Sequence, residues 1–261
     1  METILDQIIA NKRIEIEKQK KETPLRHLEE LLANTTVNTK SFREALLISP
    51  TGIIAEFKRK SPSRNWIAQE AKIEEVVPFY SLKGASAISI LTDLVFFGGD
   101  LSDLTKSHKL TDTPLLRKDF IIDSYQLYQA KLSGASAILL IAAALTPQKN
   151  IELATVAHSL GLEVLLEIHK EEELDYLNDK VDVVGINNRN LETFTTDIQL
   201  SFTLGKKIPS DFLKISESGI SNPQTVIDLR KEGFKGFLMG ENFMKTKNPS
   251  RALGEFIYQL L

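Results

Sequence analysis

The chain has 261 residues, of which 42% are hydrophobic and 26% are charged, and its formal net charge is −3. This composition excludes a disordered chain, and the nearly balanced charge argues against a nucleic-acid-binding or polybasic membrane protein. The absence of cysteine excludes disulfides, thiolate nucleophiles and cysteine-ligated metal sites. The longest strongly apolar run, 137–145, is about half of a membrane span, and the charged N-terminus is unlike a signal peptide. We therefore expect a cytoplasmic enzyme of globular type.

The first 50 residues predict helices that carry no obvious chemistry. Apolar residues recur near the helical period from residue 4 to about residue 30, with lysine and glutamate between them. Thr23-Pro24 is typical of an N-cap followed by proline at the first helical position, so a second short helix is predicted to about residue 32. A third is predicted over 41–47. Each would place one apolar stripe against a core.

From Thr51 onward, short apolar runs alternate with helix-like segments. There are eight runs: 53–58, 87–93, 114–120, 137–142, 164–169, 183–188, 213–218 and 236–240. Strands that alternate with helices pair in parallel through right-handed crossovers, and nearly continuous apolar strands are buried on both faces. The pattern therefore predicts an α/β protein with a parallel sheet.

An internal repeat narrows the choice between α/β folds. The pentapeptide GASAI occurs at 84–88 and again at 134–138, each time where a predicted helix leads into a strand. Repeated helix–glycine–strand units over roughly 200 residues favour a (β/α)8 TIM barrel. We expect residues 51–261 to form the barrel and 1–50 a helical extension, within a single domain of 1–261. A doubly wound sheet also fits eight strands and stays open at this point.

Charged and polar residues collect where the predicted strands end, which is where both architectures place their sites. They are Glu56, Lys58 and Lys60 on the first run, Lys118 and Asp119 on the third, Glu167 on the fifth, Asn187, Asn188 and Arg189 on the sixth, and Glu217 and Ser218 on the seventh. Burying one unpaired charge costs several kcal/mol. Several charged ends facing one mouth therefore predict a ligand site, against the alternative of self-contained ion pairs.

Two glycine-bearing turns predict a phosphate site. Ser218-Gly219 and Gly240-Glu241 follow the seventh and eighth runs, where barrels commonly bind phosphate through backbone N–H groups. The stretch 96–99, FFGG, could wall a pocket for a planar ring or simply pack in the core. The four histidines lack metal-ligand spacing, and no Walker loop, Rossmann glycine fingerprint or nucleophile elbow is present.

Seven motifs resemble those of the indole-3-glycerol-phosphate synthase family, and the similarity runs over nearly the whole chain. They are IIAEFKRKSPS (53–63), SILTDLVFFGG (89–99), LLRKDFIID (115–123), LLEIH (165–169), GINNRNLETF (185–194), SESGIS (216–221) and FLMGENFM (237–244). The resemblance implies a (β/α)8 barrel with an N-terminal helical segment over its mouth. It implies 1-(2-carboxyphenylamino)-1-deoxy-D-ribulose 5-phosphate as the substrate. The implied products are indole-3-glycerol phosphate, carbon dioxide and water, formed without cofactor or metal.

The resemblance also implies roles for individual residues. Lys118 matches the general acid and Glu167 the general base. The other catalytic positions are Glu56, Lys58, Asn187 and Glu217. The positions for the substrate's carboxylate and ring are Ser61, Arg189 and Phe97, and those for its phosphate are Lys60, Ser218, Gly219, Gly240 and Glu241. The expected partner is a small phosphorylated substrate, with the chain acting as a monomer and without nucleic acid or membrane.

Two departures from the family pattern fall in predicted loops over the mouth. Asn65-Trp66 stand where a glycine is usual, and Leu94-Val95 replace an acidic–basic pair. We expect them to affect the loops and substrate affinity, and to leave the reaction type unchanged. The alternatives at this stage are a phosphate-binding barrel isomerase, such as phosphoribosylanthranilate isomerase, and a catalytically silent barrel that serves as a binding subunit.

Overall fold

Eight parallel strands close into a barrel in the computed structural model, which describes residues 3–190 and 193–261. The strands are β1 (Ile53–Phe57), β2 (Ala87–Leu91), β3 (Leu115–Lys118), β4 (Ala137–Ile141), β5 (Glu163–Ile168), β6 (Val183–Asn187), β7 (Leu213–Glu217) and β8 (Gly236–Met239). β8 pairs with β1 through Ile54 and Leu238, so the sheet has no open edge. The predicted (β/α)8 barrel is confirmed, and the doubly wound sheet is excluded.

Helices precede the barrel and cover its outside. They are α1 (Ile4–Glu22), α2 (Leu25–Ala33), α3 (Phe42–Ile48), α4 (Ile73–Leu82), α5 (Leu94–Phe97), α6 (Leu101–Leu110), α7 (Tyr125–Leu132), α8 (Pro147–Ser159), α9 (Gln199–Leu204), α10 (Pro223–Lys231), α11 (Glu241–Met244) and α12 (Pro249–Tyr258). Two 3-10 helices (Ala142–Ala144 and Glu171–Tyr176) and an antiparallel hairpin (Lys60–Ser61 with Asn65–Trp66) lie in the loops. Met1, Glu2 and two residues of the GINNRNLETF motif, Leu191 and Glu192, lie outside the described residues. Across the described ranges, none of the helices combines the length and the apolar character needed to span a membrane.

The predicted first helix is too long, and its predicted end at about residue 30 is wrong. α1 ends at Glu22, well before residue 30, and Thr23 is extended with φ −136° and ψ 93°. The N-cap of α2 is Pro24, one residue later than the predicted Thr23, so the helix begins at Leu25. A residue before proline is driven out of the α region, so Thr23 breaks the chain into two helices.

One hydrophobic cluster runs through the barrel interior and is closed at both ends by residues from before β1. At the amino ends of the strands, Phe42 and Leu46 of α3 are fully buried. Leu46 packs beside Gly236, the first residue of β8, where a Cβ would be in van der Waals contact with Leu46 Cδ1 at 3.4 Å. At the opposite end, Ile8 of α1 joins the same cluster beside Phe120.

A buried lysine fixes α1 to the barrel. Lys12 lies on the same face of α1 as Ile8 and is completely buried. Its Nζ lies 3.0 Å from Asp93 Oδ2, just after β2, and 3.0 Å from Asp119 Oδ1, just after β3. Burial alone would lower the pKa of Lys12, but the two aspartates outweigh it and raise that pKa above its ordinary value. The lysine is therefore charged, and α1 is held across the carboxyl ends of β2 and β3.

Replacing Lys12 by methionine should destabilise the protein strongly. The change keeps the length of the side chain but removes the cation from Asp93 and leaves Asp119 with Arg117 alone. Removing one partner of a buried ion pair typically costs about 3–5 kcal/mol. Urea denaturation measures the free energy of unfolding, and limited proteolysis reports release of α1. Lys18→Met in the same helix is the control, because Lys18 is exposed and we expect a change within about 0.5 kcal/mol. Equal effects of the two substitutions would contradict this role of Lys12.

Candidate active site

A cavity of about 110 Å³ lies at the carboxyl ends of the strands and is lined by at least one residue from each of the eight. Ten of the predicted site residues line it: Glu56, Lys58, Ser61, Phe97, Lys118, Glu167, Asn187, Arg189, Glu217 and Ser218. The other four, Lys60, Gly219, Gly240 and Glu241, are not part of its lining. The first turns of α1 cover it through Ile4, Leu5 and Ile8.

Four charged side chains form one layer inside the barrel. Glu56, Lys118, Glu167 and Glu217 come from β1, β3, β5 and β7, and alternate strands of a TIM barrel contribute the side chains of one interior layer. Such layers usually hold branched apolar residues. In this barrel the layer nearest the mouth is made of three carboxylates and one ammonium group.

Lys118 is the centre of this layer. Its Nζ donates a hydrogen bond to Glu167 Oε2 at 2.9 Å and lies 3.5 Å from Glu217 Oε2. Burial by itself would lower the pKa of Lys118, but Glu167, Glu217 and Glu56 outweigh it and raise that pKa above its ordinary value. The sequence left this balance open because Lys58 acts against the glutamates. The structure resolves it in favour of a charged lysine.

Lys58 is occupied by its own partner. Its Nζ lies 2.8 Å from Glu56 Oε1, as expected for two residues on the same side of a strand. The hydroxyl of Ser89 lies 3.4 Å from the other oxygen of Glu56. A Cβ on Gly240 would lie 2.5 Å from Glu56 Oε1, so the glycine makes room for this carboxylate. Gly240 therefore has a contact in the charged layer that the turn pattern did not predict.

Two glutamates of the layer titrate in opposite directions. Burial would raise the pKa of Glu167, but Lys118 and the neighbouring His169 and Asn187 outweigh it and lower that pKa. For Glu217, burial dominates over the attraction of Lys118, and Glu167 and Glu56 add repulsion, which raises its pKa to about 8. Carboxylates with pKa values driven apart are a common sign of separate acid and base roles.

Glu217 has an unused oxygen. Among the described residues, its Oε1 is buried without a hydrogen-bond partner. A Cβ on Gly185 of β6 would lie only 2.3 Å from this oxygen, so glycine is needed opposite Glu217. Sequence reasoning missed Gly185, and its place in the GINN motif directly before the site residues is the only signal that could have indicated it.

An aromatic and aliphatic wall faces the charged layer. The rings of Phe97 and Phe120 lie 5.8 Å apart at 39°, and Leu139 and Ile141 of β4 complete the wall. Phe120 was not among the predicted site residues, although it follows Lys118-Asp119 directly. The cavity therefore offers an apolar slot for a flat ring beside buried charges.

The turn after β7 has a left-handed backbone at two successive residues. Ser218 and Gly219 are both left-handed, with φ of 66° and 76°. A Cβ on Gly219 would lie 2.6 Å from Thr196 Cγ2, so this position requires glycine. Nearby, Glu241 lies 3.5 Å from Arg189 Nη2 and 3.3 Å from Arg64 Nε. The guanidinium of Arg189 also donates to Ser63 Oγ at 2.9 Å.

Lys60 is directed away from these turns. Its Nζ donates to the carbonyl of Val95 at 2.8 Å and lies 5.5 Å from the centre of the Trp66 ring. Trp66 in turn packs over Gly98, where a Cβ would lie 2.8 Å from the indole. The two departures from the family pattern therefore meet: the tryptophan and the backbone of Val95 hold one lysine between them.

No set of three histidine, aspartate or glutamate side chains within 3–190 and 193–261 is arranged to hold a metal ion. The charged layer fails as a metal site for a physical reason, since Lys118 already occupies the centre between its carboxylates.

The chain is similar to known proteins over nearly its whole length. The family model for indole-3-glycerol phosphate synthase matches residues 5–256. An indole-3-glycerol phosphate synthase of Bacteroides thetaiotaomicron is 56% identical over 257 residues, covering 98% of both chains. One of Salinibacter ruber is 41% identical over 254 residues, covering 96% of this chain and 94% of the relative.

Solved structures show the same fold at lower similarity. A mutant tryptophan synthase α-subunit from Pyrococcus furiosus superposes with a TM-score of 0.60 at 17% identity, covering 80% of this chain and 97% of that one. The α-subunit from Legionella pneumophila has a TM-score of 0.60 at 14% identity, covering 84% and 97%. At these identities the likeness supports the barrel alone. The family match and the curated relatives, by contrast, confirm the resemblance drawn from the motifs, and the chain belongs to the indole-3-glycerol phosphate synthase family of decarboxylating lyases in tryptophan biosynthesis.

Proposed function

We propose that Lys118 and Glu167 are the acid and base with which this chain converts 1-(2-carboxyphenylamino)-1-deoxy-D-ribulose 5-phosphate into indole-3-glycerol phosphate, carbon dioxide and water. The observation that carries the proposal is the 2.9 Å contact between the two groups in a buried charged layer. The facing wall of Phe97 and Phe120 suits the anthranilate ring of this substrate.

Ring closure is the first step. The ring carbon that bears the carboxylate attacks the ketone carbon, and the ketone oxygen gains negative charge. Lys118 is placed to donate its proton to that oxygen, which leaves a hydroxyl group. The carboxylate then departs as carbon dioxide, and the electrons of its bond to the ring restore aromaticity. Exclusion of water from the site makes the proton donation by Lys118 more effective, because charges interact more strongly where the dielectric constant is low.

Dehydration is the second step and needs an acid and a base together. Glu167 takes a proton from the methylene beside the nitrogen, while the hydroxyl leaves as water with a second proton from the acid. The oxygen that leaves as water has therefore gained two protons. The methylene group of the substrate gives back only one, so each turnover consumes one proton from solvent. Glu167 can return its proton to Lys118 across their hydrogen bond.

Glu217 supplies the remaining proton in this scheme. It lies 3.5 Å from Lys118 Nζ, and its pKa is raised to about 8, so it carries a proton at neutral pH. Lys58 and Glu56 complete the charged centre, and Asn187 orients Glu167.

Substrate binding involves two further groups of residues. Ser61, Arg189 and Phe97 line the cavity and suit the carboxylate and ring. For the phosphate, we place Ser218, Gly219, Gly240 and Glu241 at the turns after β7 and β8. Lys60 can bind the phosphate with them only if its ammonium group gives up its hydrogen bond to the Val95 carbonyl.

We further propose that residues 1–50 and 51–261 form one domain, because Ile8, Phe42 and Leu46 share the hydrophobic cluster of the barrel interior. The proposed setting is the cytoplasm, with the chain acting as a monomer. The net charge of −3 supports a small phosphorylated partner in preference to nucleic acid.

The first test replaces Lys118 by alanine. We expect turnover to fall by about 10²–10⁴-fold, the usual contribution of an acid–base group, with the far-ultraviolet circular dichroism unchanged. The assay follows indole-3-glycerol phosphate fluorescence after addition of the carboxyphenylamino-ribulose phosphate. Lys106→Ala, at an exposed lysine of α6, is the control and should retain full activity. Near-normal turnover of the Lys118 variant would remove it from the proposed role, and absence of product with the wild-type chain would refute the function itself.

The second test replaces Glu217 by glutamine. Because the pKa of Glu217 is raised to about 8, its proton is present below that pH and lost above it, so wild-type turnover should fall as pH rises from 7 to 9. Glutamine cannot supply this proton. We expect the variant to turn over about 10²-fold more slowly at pH 7 and to show no such fall between pH 7 and 9. If the turnover of the variant also falls with rising pH, and with the same midpoint, the titration belongs to another group.

A further inference from the structure

His169 is a buried imidazole beside the proposed base, and the reaction above leaves it without a role. It is the first residue after β5, and its side chain is 11% exposed. Its Nε2 lies 3.3 Å from Glu167 Oε1. The other oxygen of that carboxylate, Oε2, accepts the hydrogen bond from Lys118. Glu167 therefore has the acid against one oxygen and an imidazole edge against the other.

Glu173 lies on the far side of the imidazole. It belongs to the 3-10 helix after β5 and is buried. Its Oε2 accepts a hydrogen bond from the backbone N–H of His169 at 2.6 Å and lies 3.8 Å from His169 Nδ1. Because this carboxylate is anchored to the backbone of the residue that it faces, it limits rotation of the ring.

The ring nitrogens of His169 are buried polar atoms that are not satisfied in the described part of the chain. Among the described residues, neither Nδ1 nor Nε2 of His169 makes a hydrogen bond, although buried polar atoms nearly always do. Each nitrogen faces a carboxylate: Nε2 lies 3.3 Å from Glu167 Oε1, and Nδ1 lies 3.8 Å from Glu173 Oε2. Nε2 is already within 3.3 Å of Glu167 Oε1, a place for a polar ring atom that packing alone does not require, since an apolar side chain would serve packing equally well.

We propose that His169 is a positioning residue for Glu167: it holds Oε1 through Nε2–H, is itself held by Glu173, and so keeps Oε2 directed at Lys118 and the substrate. The inference rests on the proposed role of Glu167 as the base. A carboxylate fixed at both oxygens has a single orientation for proton abstraction, and small errors in such geometry are costly in rate. His169 acts only through Glu167 and does not touch the reacting atoms.

His169→Leu is the main test, with turnover measured by product fluorescence as a function of pH. We expect kcat to fall by about 10–100-fold, as for loss of other orienting partners, and KM to change by less than about twofold. The groups that face the ring are Glu167 on β5 and Glu173 on the 3-10 helix, and those that face Glu167 beyond it are Lys118 and Asn187. Loss of the donor makes ionised Glu167 less favourable, so the acid limb of kcat should move to higher pH.

Two conservative variants separate positioning from packing. His169→Gln keeps an N–H donor, and we expect it to recover most of the activity and the wild-type acid limb. Glu173→Gln keeps an acceptor for the backbone N–H but loses the charge that holds the ring, so it should lower kcat less than His169→Leu. The double variant His169→Leu/Glu173→Gln should be no slower than His169→Leu alone, because Glu173 works through His169. If the losses of kcat in the two single variants add up in the double variant, the proposal that Glu173 works through His169 is wrong.

His158 offers a matched control. Its Nε2 lies 2.9 Å from Asp182 Oδ2, a carboxylate that also accepts a backbone N–H, from Val164 at 2.7 Å. This pair likewise joins an imidazole to a carboxylate that is anchored by a backbone N–H, but it lies away from the cavity, at the amino end of β5. His158→Leu should therefore leave kcat and its pH profile unchanged, and equal effects of the two leucine variants would overturn the proposal.

Glu167→Gln distinguishes failure of this inference from failure of the proposed function. If Glu167→Gln retains activity, the assignment of the base is wrong. If it is inactive while His169→Leu turns over normally with an unshifted acid limb, the positioning role is wrong and the function stands. Should His169→Leu not fold, Glu173→Gln decides in its place, and an unchanged acid limb in that variant overturns the proposal.

Discussion

The barrel is organised around a surplus of buried negative charge. Its uppermost interior layer contains three carboxylates and Lys118, and Lys58 adds one more ammonium group through Glu56. Two cations balance only two of the three carboxylates. The remaining charge is costly to bury, and the layer relieves it by retaining a proton, which the raised pKa of Glu217 assigns to that residue. A proton donor is therefore a consequence of the packing of this layer.

Pairing of buried charges also holds the N-terminal segment on the barrel. β3 ends in Lys118 and is followed by Asp119, and these neighbours serve different sides of the strand end. Lys118 belongs to the layer inside, whereas Asp119 pairs with Arg117 and with Lys12 of α1. Anchoring of the helix that covers the mouth and placement of the central cation therefore depend on two successive residues. A change in the path of the chain there would disturb both.

Much of the fold and of the site composition could be predicted because both follow local periodicities. Eight apolar runs with glycine junctions define the barrel, and the carboxyl ends of parallel strands meet at one mouth, so Glu56, Lys118, Glu167 and Glu217 were identifiable as neighbours. Family similarity then gave these residues their expected roles. None of the individual roles follows from the geometry alone, and they stay predictions until the variants are measured.

The rest depends on contacts between distant segments, which no local pattern encodes. Lys12 occupies an apolar stripe in α1, and its partners lie 81 and 107 positions further along the chain (93 − 12 and 119 − 12). Which glutamate keeps a proton is decided by distances of a few ångströms within the layer. The direction of Lys60 depends on Trp66 and on the Val95 carbonyl, residues at which this chain departs from the family pattern.

That last contact has a spectroscopic consequence. Trp66 is the only tryptophan in the chain, it is 45% exposed, and its ring lies against Lys60 and Gly98. Intrinsic indole emission from this protein therefore comes from one point on the hairpin beside the mouth. Movement of that loop, or departure of the ammonium group from the ring, alters the polarity around a single fluorophore. The chain thus carries a built-in optical probe of its loop, and no label needs to be attached.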